Sequence, residues 1–278
     1  MIVYLNGDFL ALEKASVSPL DRGFLFADAI YEVVRFDRGR PYHLEEHLRR
    51  MREGLAALRI EADAGFYPAA ARRLLSENGL AGSDAVVYAQ VSRGAAPRTH
   101  VFPPKETPAT VFAFARASDP QPEESGGSAI LVADQRWGRC DIKTVMLLPN
   151  VLAAQEAREA GAMDAIFVRD GLALEGTKAN LFALIGEKVR TAPNGPSILP
   201  GVTRGAVIEA AGRLSIRVEE RAFTVEEMFS ATEVFLASTT LWTHSLVKIA
   251  DRRIGNGEPG PIAASLREAL QREFRGEA

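Results

Sequence analysis

The chain has 278 residues, a net charge of −3, and 47% hydrophobic and 25% charged residues, the balance of a soluble globular protein of one large or two medium domains. So small a charge excludes the broad basic field on which nucleic-acid and anionic-membrane binding rely. The single cysteine, Cys140, excludes an intrachain disulfide framework and a cysteine-based zinc site; with no basic, then apolar leader in MIVYLNGDFL and no apolar run of membrane-spanning length, a cytoplasmic location is expected.

MIVYLNGDFLA predicts a hairpin turning at Asn6-Gly7, and IYEVVRFDRGRPY a strand pair around Asp37-Arg38-Gly39. HLEEHLRRMREGLAAL is an amphipathic helix with Leu44, Leu48, Met51, Leu55 and Leu58 on one face, and FYPAAARRLLSENG a second helix ending at Gly79. AVVYAQVSRG and TVFAFARA read as strands. Residues 117–128, rich in Pro, Gly, Ser and Glu, read as a linker between an N-terminal domain, 1–116, and a C-terminal domain, 129–278. AILVADQRW is a strand, and PNVLAAQEAREAG a helix between Pro149 and Gly161. A meander follows, with turns at Asp170-Gly171 and Gly186-Glu187, then the helix TRGAVIEAAGRL, the strand EVFLASTT and the helix IAASLREALQREF. Strands and helices mix without a βαβ rhythm and no GxGxxG occurs, so a mixed α/β, α+β fold is expected rather than a Rossmann fold.

Several residues stand out for their chemistry. Lys143, in RWGRCDIKTVMLLPN, is one of only six lysines beside 27 arginines. An exposed strand-end lysine is one reading. The other is a need for an amine, which forms a Schiff base where guanidinium cannot. LPGVTRGAVIEAA sets Pro200-Gly201 before a helix, where backbone N–H groups and the Thr203 hydroxyl make an anion cup or simply a helix cap. The hydroxyls of Ser238, Thr239 and Thr240 end a strand. Glu175 also ends a strand, as a turn carboxylate or a site acid. Arg98 and His100, two apart on a Pro-bracketed loop, suit a carboxylate. HLEEH matches the H-x-x-E-H zinc pattern with His43 and His47, although Arg49 and Arg50 would repel a dication.

Taken in order, DRGFLFADAIYEVVR, EEHLRRM, SRGAAPRTHVFP, RWGRCDIKTVMLLPNVLAAQEA, LEGTKANLF, ILPGVTR and FLASTT resemble the fold-type IV (class IV) pyridoxal-phosphate enzymes nearly end to end. LEGTKANLF and ILPGVTR carry the class, and the PRTH loop with RCDIK tilts the likeness toward the D-amino-acid (D-alanine) aminotransferases. The resemblance implies a smaller N-terminal α/β domain, a larger, mixed β-barrel-like C-terminal domain, and pyridoxal 5'-phosphate as cofactor. It implies ping-pong transamination between a D-amino acid and a 2-oxo acid such as 2-oxoglutarate or pyruvate. Lys143 would be the Schiff-base lysine and Glu175 the partner of the pyridine nitrogen. Arg50, Val202, Thr203 and Thr239 would hold the phosphate, with Ser238 and Thr240 also at the cofactor. Tyr31, Val33, Arg98, His100, Lys178 and Thr240 would line the substrate, with Arg98 and His100 supplied across an obligate homodimer; neither nucleic acid nor membrane is an expected partner.

The likeness is imperfect where side chains would be selected. Small hydroxyl residues after the glutamate become Thr177, Lys178 and Ala179, and STT is followed by the bulky Leu241 and Trp242. The alternatives within the class are a branched-chain L-amino-acid transaminase, an R-amine transaminase and an aminodeoxychorismate lyase. A zinc hydrolase through His43 and His47 is the alternative outside it.

Overall fold

The computed structural model describes residues 1–119 and 125–277. By contacts the chain divides into two compact units, Met1–Asp119 with Ile142–Met146, and Pro120–Asp141 with Leu147–Ala278. Part of the expected linker, residues 120–124, lies outside the described residues. The strands on either side run into the rest of it, through Ala117 and from Gly127.

The first unit contains β1 (Ile2–Leu5), β2 (Asp8–Ala11), α1 (Arg22–Phe26), β3 (Ala29–Asp37), β4 (Arg40–Pro41), α2 (Leu44–Leu58), α3 (Tyr67–Glu77), β5 (Asp84–Ser92) and β6 (Thr110–Ala117). Its six strands form an antiparallel sheet in the order β2-β1-β6-β5-β3-β4. Asn6-Gly7 and Arg38-Gly39 have positive φ at both positions, as tight hairpins require. Leu48, Met51 and Leu55 of α2 are buried, while Leu44 and Leu58 at its ends are half-buried. Each fully buried apolar side chain contributes on the order of 2 kcal/mol. Gly54 lets α2 lie close on β3: a Cβ there would meet Ile30 Cγ2 at 3.2 Å. Because side chains alternate along β3, Ile30, Glu32 and Val34 are buried and Tyr31 and Val33 are half-buried on the opposite face.

Ile142–Met146, expected within the C-terminal range, groups instead with this unit. The Tyr31 N–H donates to the Lys143 carbonyl (3.0 Å) and the Val145 N–H to the Ala29 carbonyl (3.1 Å), with a bridge between Ile30 and Thr144. The backbone of Lys143 is thereby pinned along the start of β3, outside any named strand.

The second unit contains β7 (Gly127–Ala133), α4 (Leu148–Glu159), β8 (Asp164–Arg169), β9 (Leu172–Gly176), β10 (Asn180–Ile185), β11 (Lys188–Thr191), α5 (Val202–Arg213), β12 (Val218–Glu220), β13 (Phe223–Thr224), α6 (Val225–Phe229), β14 (Glu233–Ser238), β15 (Trp242–Ile249), β16 (Arg252–Arg253) and α7 (Pro261–Arg275). Strands β10-β14-β15-β7-β8-β9 pair in that order, and β9 pairs back onto β10 through Glu175 and Asn180. Six strands thus close on themselves, the barrel-like arrangement expected. Ile166, Leu181, Phe223, Met228, Leu236 and Leu246 fill one core of this unit. Two expectations need correction. AILVADQRW stops being strand at Ala133, because the chain turns at Asp134 and Arg136. EVFLASTT stops at Ser238, leaving Thr239 and Thr240 in a turn before β15, a strand the polar and bulky run WTHSLVKI hides. No helix among the described residues is long and apolar enough to cross a membrane.

Candidate active site

Tyr31, Val33, Arg50, Arg98, His100 and Lys143 belong to the first unit; Glu175, Lys178, Val202, Thr203, Ser238, Thr239 and Thr240 belong to the second.

In the first unit the Lys143 amine lies 4.1 Å from the centroid of the Tyr31 ring. Tyr31 stacks on Tyr88 (5.7 Å) and Tyr88 on Phe114 (5.1 Å), so the tyrosine is held by an aromatic row across β3, β5 and β6. Val33 shares its half-buried face.

Behind Tyr31, on the helix side of β3, Glu32 is 1% exposed. It accepts from Arg50 at both oxygens, Nε to Oε1 (2.7 Å) and Nη2 to Oε2 (2.9 Å), and lies 2.8 Å from His47 Nδ1. Burial pushes the Glu32 carboxyl up, but Arg50 and His47 outweigh it and hold the group well below the carboxylate range. Burial holds His47 below its ordinary value, despite the glutamate. HLEEH therefore reads differently in the fold. His43 is the residue before α2, in a left-handed conformation, and His47 is committed to Glu32, one helical turn from Arg50. Among the described residues no three His, Cys, Asp or Glu side chains are grouped to hold a metal.

Arg98 and His100 are exposed. Both approach the same ring, Phe26, with the Arg98 guanidinium at 5.1 Å and the His100 ring at 5.8 Å. Buried Arg22 fastens the loop by donating to the carbonyls of Thr99 (2.8 Å) and Val101 (3.4 Å). Arg93 and Arg59 sit over Phe102 at 3.6 and 4.7 Å. The loop is thus shaped by cations that hold it from beneath while its own two basic side chains stay accessible.

In the second unit Glu175 is 5% exposed, at the point where β9 meets β10. It accepts from Arg136 Nη1, from Asn180 Nδ2 (3.1 Å) and from the Leu199 N–H (3.2 Å to each oxygen). Burial pushes its carboxyl up to about 7 against the opposing pull of Arg136 and the Leu199 amide. Asn180 also donates to the Leu199 carbonyl (2.9 Å), tying this carboxylate to the loop that enters α5. Gly201 precedes that helix without a side-chain cap. A Cβ at Gly201 would collide with Asn180 Oδ1, so a side chain there would push the Asn180 amide from its place beside Glu175. Thr203, 2% exposed, has a buried hydroxyl with no hydrogen-bond partner among the described residues. Uncapped amides and an unpartnered hydroxyl at one helix start suit an oxyanion, and a fixed buried carboxylate suits a protonated ring nitrogen.

Ser238, Thr239 and Thr240 are half-buried, with 3.5 Å between the Ser238 and Thr240 hydroxyls. Thr177 is turned inward, its hydroxyl 2.5 Å from Asp164 Oδ1, and Lys178 beside it is exposed. Reading from the sequence missed Glu32, Asp134, Arg136, Arg169 and Asn180. A carboxylate in the apolar alternation of IYEVV was the available signal for the first; close opposite charges in ADQR were the signal for the next two.

The class IV aminotransferase profile matches residues 29–248. The chain is 36% identical to a D-alanine aminotransferase of Bacillus licheniformis, covering all of this chain and 98% of that one. It is 36% identical to one of Staphylococcus haemolyticus, over 97% and 96%. Among solved structures it is similar to the T.th. branched-chain amino acid aminotransferase with pyridoxamine 5'-phosphate, at 25% identity and TM-score 0.88, over 100% of this chain and 95% of that one. The Escherichia coli branched-chain enzyme has TM-score 0.90 at 23% identity, over the same shares, and speaks to fold alone. A profile spanning most of the chain, and relatives matched over nearly their whole length, establish that the chain belongs to the class IV aminotransferases, pyridoxal 5'-phosphate enzymes of fold type IV.

Proposed function

We propose that the chain transfers an amino group between a D-amino acid and a 2-oxo acid by a ping-pong mechanism, as a cytoplasmic homodimer. The observation that carries the D-amino-acid reading is the 98–100 loop, where Arg98 and His100 converge on Phe26 and remain exposed. A charged guanidinium with an imidazole is a strong carboxylate clamp. Exposed on one chain, the clamp is free to serve the site of a second copy. The neighbouring Phe24 and Val101, 77% and 73% exposed, are large apolar surfaces that such a copy would cover. The 36% identity to D-alanine aminotransferases supports the same reading.

When bound, pyridoxal phosphate supplies a ring that accepts the electrons left at the substrate Cα. The protein's part follows from its side chains. The α5 amides at Val202 and Thr203 and the Thr203 and Thr239 hydroxyls would hold the phosphate, with Ser238 and Thr240 alongside and Arg50 as a further phosphate ligand. Glu175 would keep the ring nitrogen protonated. Lys143 would anchor the cofactor, and its amine would take the proton from the substrate Cα. Tyr31, Arg98 and His100 orient the α-carboxylate, with Val33 and Thr240 near the side chain. The exposed Lys178 would favour a second carboxylate, as on D-glutamate or 2-oxoglutarate.

Coupled assays with paired D- and L-amino acids test this. D-alanine and D-glutamate should be turned over with 2-oxo acid acceptors, and Lys178→Ser should selectively lose D-glutamate. Preference for L-leucine or L-valine over their D forms would sink the D-amino-acid reading and favour a branched-chain L-amino-acid enzyme, the activity named for the similar folds.

A further inference from the structure

Asp134, Arg136 and Arg169 have no part in the function proposed above, yet they form a buried ion network behind Glu175. Asp134, immediately after β7, has a side chain with 0% exposure, and Arg136 one with 6%. The Arg136 fork holds Asp134 at both oxygens, Nε to Oδ1 (2.9 Å) and Nη2 to Oδ2 (2.9 Å). Its Nη2 also donates to the Ser197 carbonyl (3.1 Å), and the guanidinium lies 4.3 Å from the Phe167 centroid. Arg169 reaches the same aspartate at 2.9 Å and donates to the Arg136 carbonyl at 3.2 Å. That leaves Arg136 Nη1, which donates to Glu175. One guanidinium thus spans two carboxylates, with a bidentate hold on Asp134 and a single contact to Glu175.

We propose that Arg136 is a positioning residue for Glu175, favouring its charged form and aiming it, and that Asp134 limits how strongly it does so. The inference rests on the reading of Glu175 as the ring-nitrogen partner. A buried carboxyl with no cation takes up a proton, and a neutral carboxyl holds a protonated ring nitrogen poorly. Arg136 supplies the cation. Alone, it would clamp Glu175 with its whole fork and compete with the ring for the carboxylate. Asp134 occupies two of the fork's N–H groups and offsets its charge, while Arg169 keeps Asp134 ionised. Among the charged and titratable groups around the pair, Asp134 lies below the ordinary carboxylate range despite burial, through Arg136 and Arg169. The Cys140 thiol is pushed up by burial, and so adds no charge at neutral pH.

The two residues therefore push Glu175 in opposite directions, which general loosening of the fold would not do. The test follows the Glu175 carboxyl by carbon-13 NMR across pH in the cofactor-free protein, with Glu175→Gln to assign the signal, and measures pyridoxal phosphate affinity alongside. Arg136→Met should move the titration upward by at least about one pH unit and weaken the cofactor roughly tenfold or more. Asp134→Asn should move it downward, and Arg136→Lys should restore most of the wild-type curve. Equal titration in Arg136→Met, or movement the same way in Arg136→Met and Asp134→Asn, overturns the proposal. If Arg136→Met does not fold, Arg136→Lys and Asp134→Asn decide it, because an upward or absent shift in Asp134→Asn is equally fatal. Failure of the underlying reading looks different: Glu175→Gln would then keep normal cofactor affinity and turnover, whatever the titrations show.

Discussion

Thr203→Val should change stability and cofactor affinity in opposite senses. The Thr203 hydroxyl is buried and has no hydrogen-bond partner among the described residues. A buried hydroxyl left unpaired costs about 1–3 kcal/mol, and valine fills nearly the same volume without it. The cofactor-free variant should therefore be more stable, by on the order of 1 kcal/mol, which raises Tm by a few degrees in a chain of this size. With pyridoxal phosphate the sign reverses. One hydrogen bond to a charged phosphate contributes about 1.5–3 kcal/mol, so its loss weakens binding roughly tenfold to a hundredfold. Calorimetry of the cofactor-free proteins reads the first effect and equilibrium dialysis of the cofactor the second. A lower Tm in cofactor-free Thr203→Val would mean that the hydroxyl serves the fold; unchanged affinity would mean that the start of α5 holds no phosphate.

Lys143→Ala should fold normally and lose transamination; borohydride reduction of the wild type should fix the cofactor on Lys143, and label on Lys178 or Lys248 would overturn the assignment. Glu32→Gln removes the charge facing buried Arg50 and should cost roughly 3 kcal/mol in urea unfolding. Because Glu32 is held below its ordinary 4.5, its contribution is present above that pH and fades as the pH falls further, so the deficit of the variant should shrink in acid. Glu175 behaves in reverse. Raised from 4.5 to about 7, it contributes stability that is fully present below pH 4.5 and lost as the pH rises through 7, on the order of 3 kcal/mol in all. Cofactor-free Glu175→Gln should therefore gain on the wild type between pH 4.5 and 8; parallel stability curves would mean that Glu175 titrates as an exposed carboxylate.

Much of this arrangement is legible in the sequence wherever one local rule decides the outcome. Asn6-Gly7 and Asp170-Gly171 mark hairpins because both positions of a tight turn take positive φ, and they do so here. The stripe Leu48, Met51, Leu55 marks the inner face of α2 by spacing alone. What stayed hidden depends on partners far apart in the chain. Glu32 and Arg50 look like surface charges until β3 and α2 are packed together, and only then do they become a buried pair. Asp134 and Arg136 look like the polar end of a strand until β8 and β9 bring Arg169 and Glu175 alongside. Lys143 stood out by its chemistry, but its grouping with the first unit did not, since nothing in DIKTVM says that it will pair with Ala29–Tyr31.

The two buried glutamates show why one arginine apiece gives two different outcomes. Glu32 and Glu175 are both almost wholly excluded from water, and burial raises both carboxyls. Glu32 receives both oxygens' worth of the Arg50 fork and a histidine besides, and ends firmly ionised. Glu175 receives a single guanidinium N–H, because Asp134 holds the rest of that fork, and ends near neutrality. A carboxylate locked in full ionic pairing makes a good strut, since it neither titrates nor changes partner at working pH. One left half-paired near pH 7 still has capacity for another cation. The difference lies in how the arginine is shared rather than in depth of burial. On the function proposed here, it makes Glu175, not Glu32, the carboxylate suited to answer the charge of a bound ring.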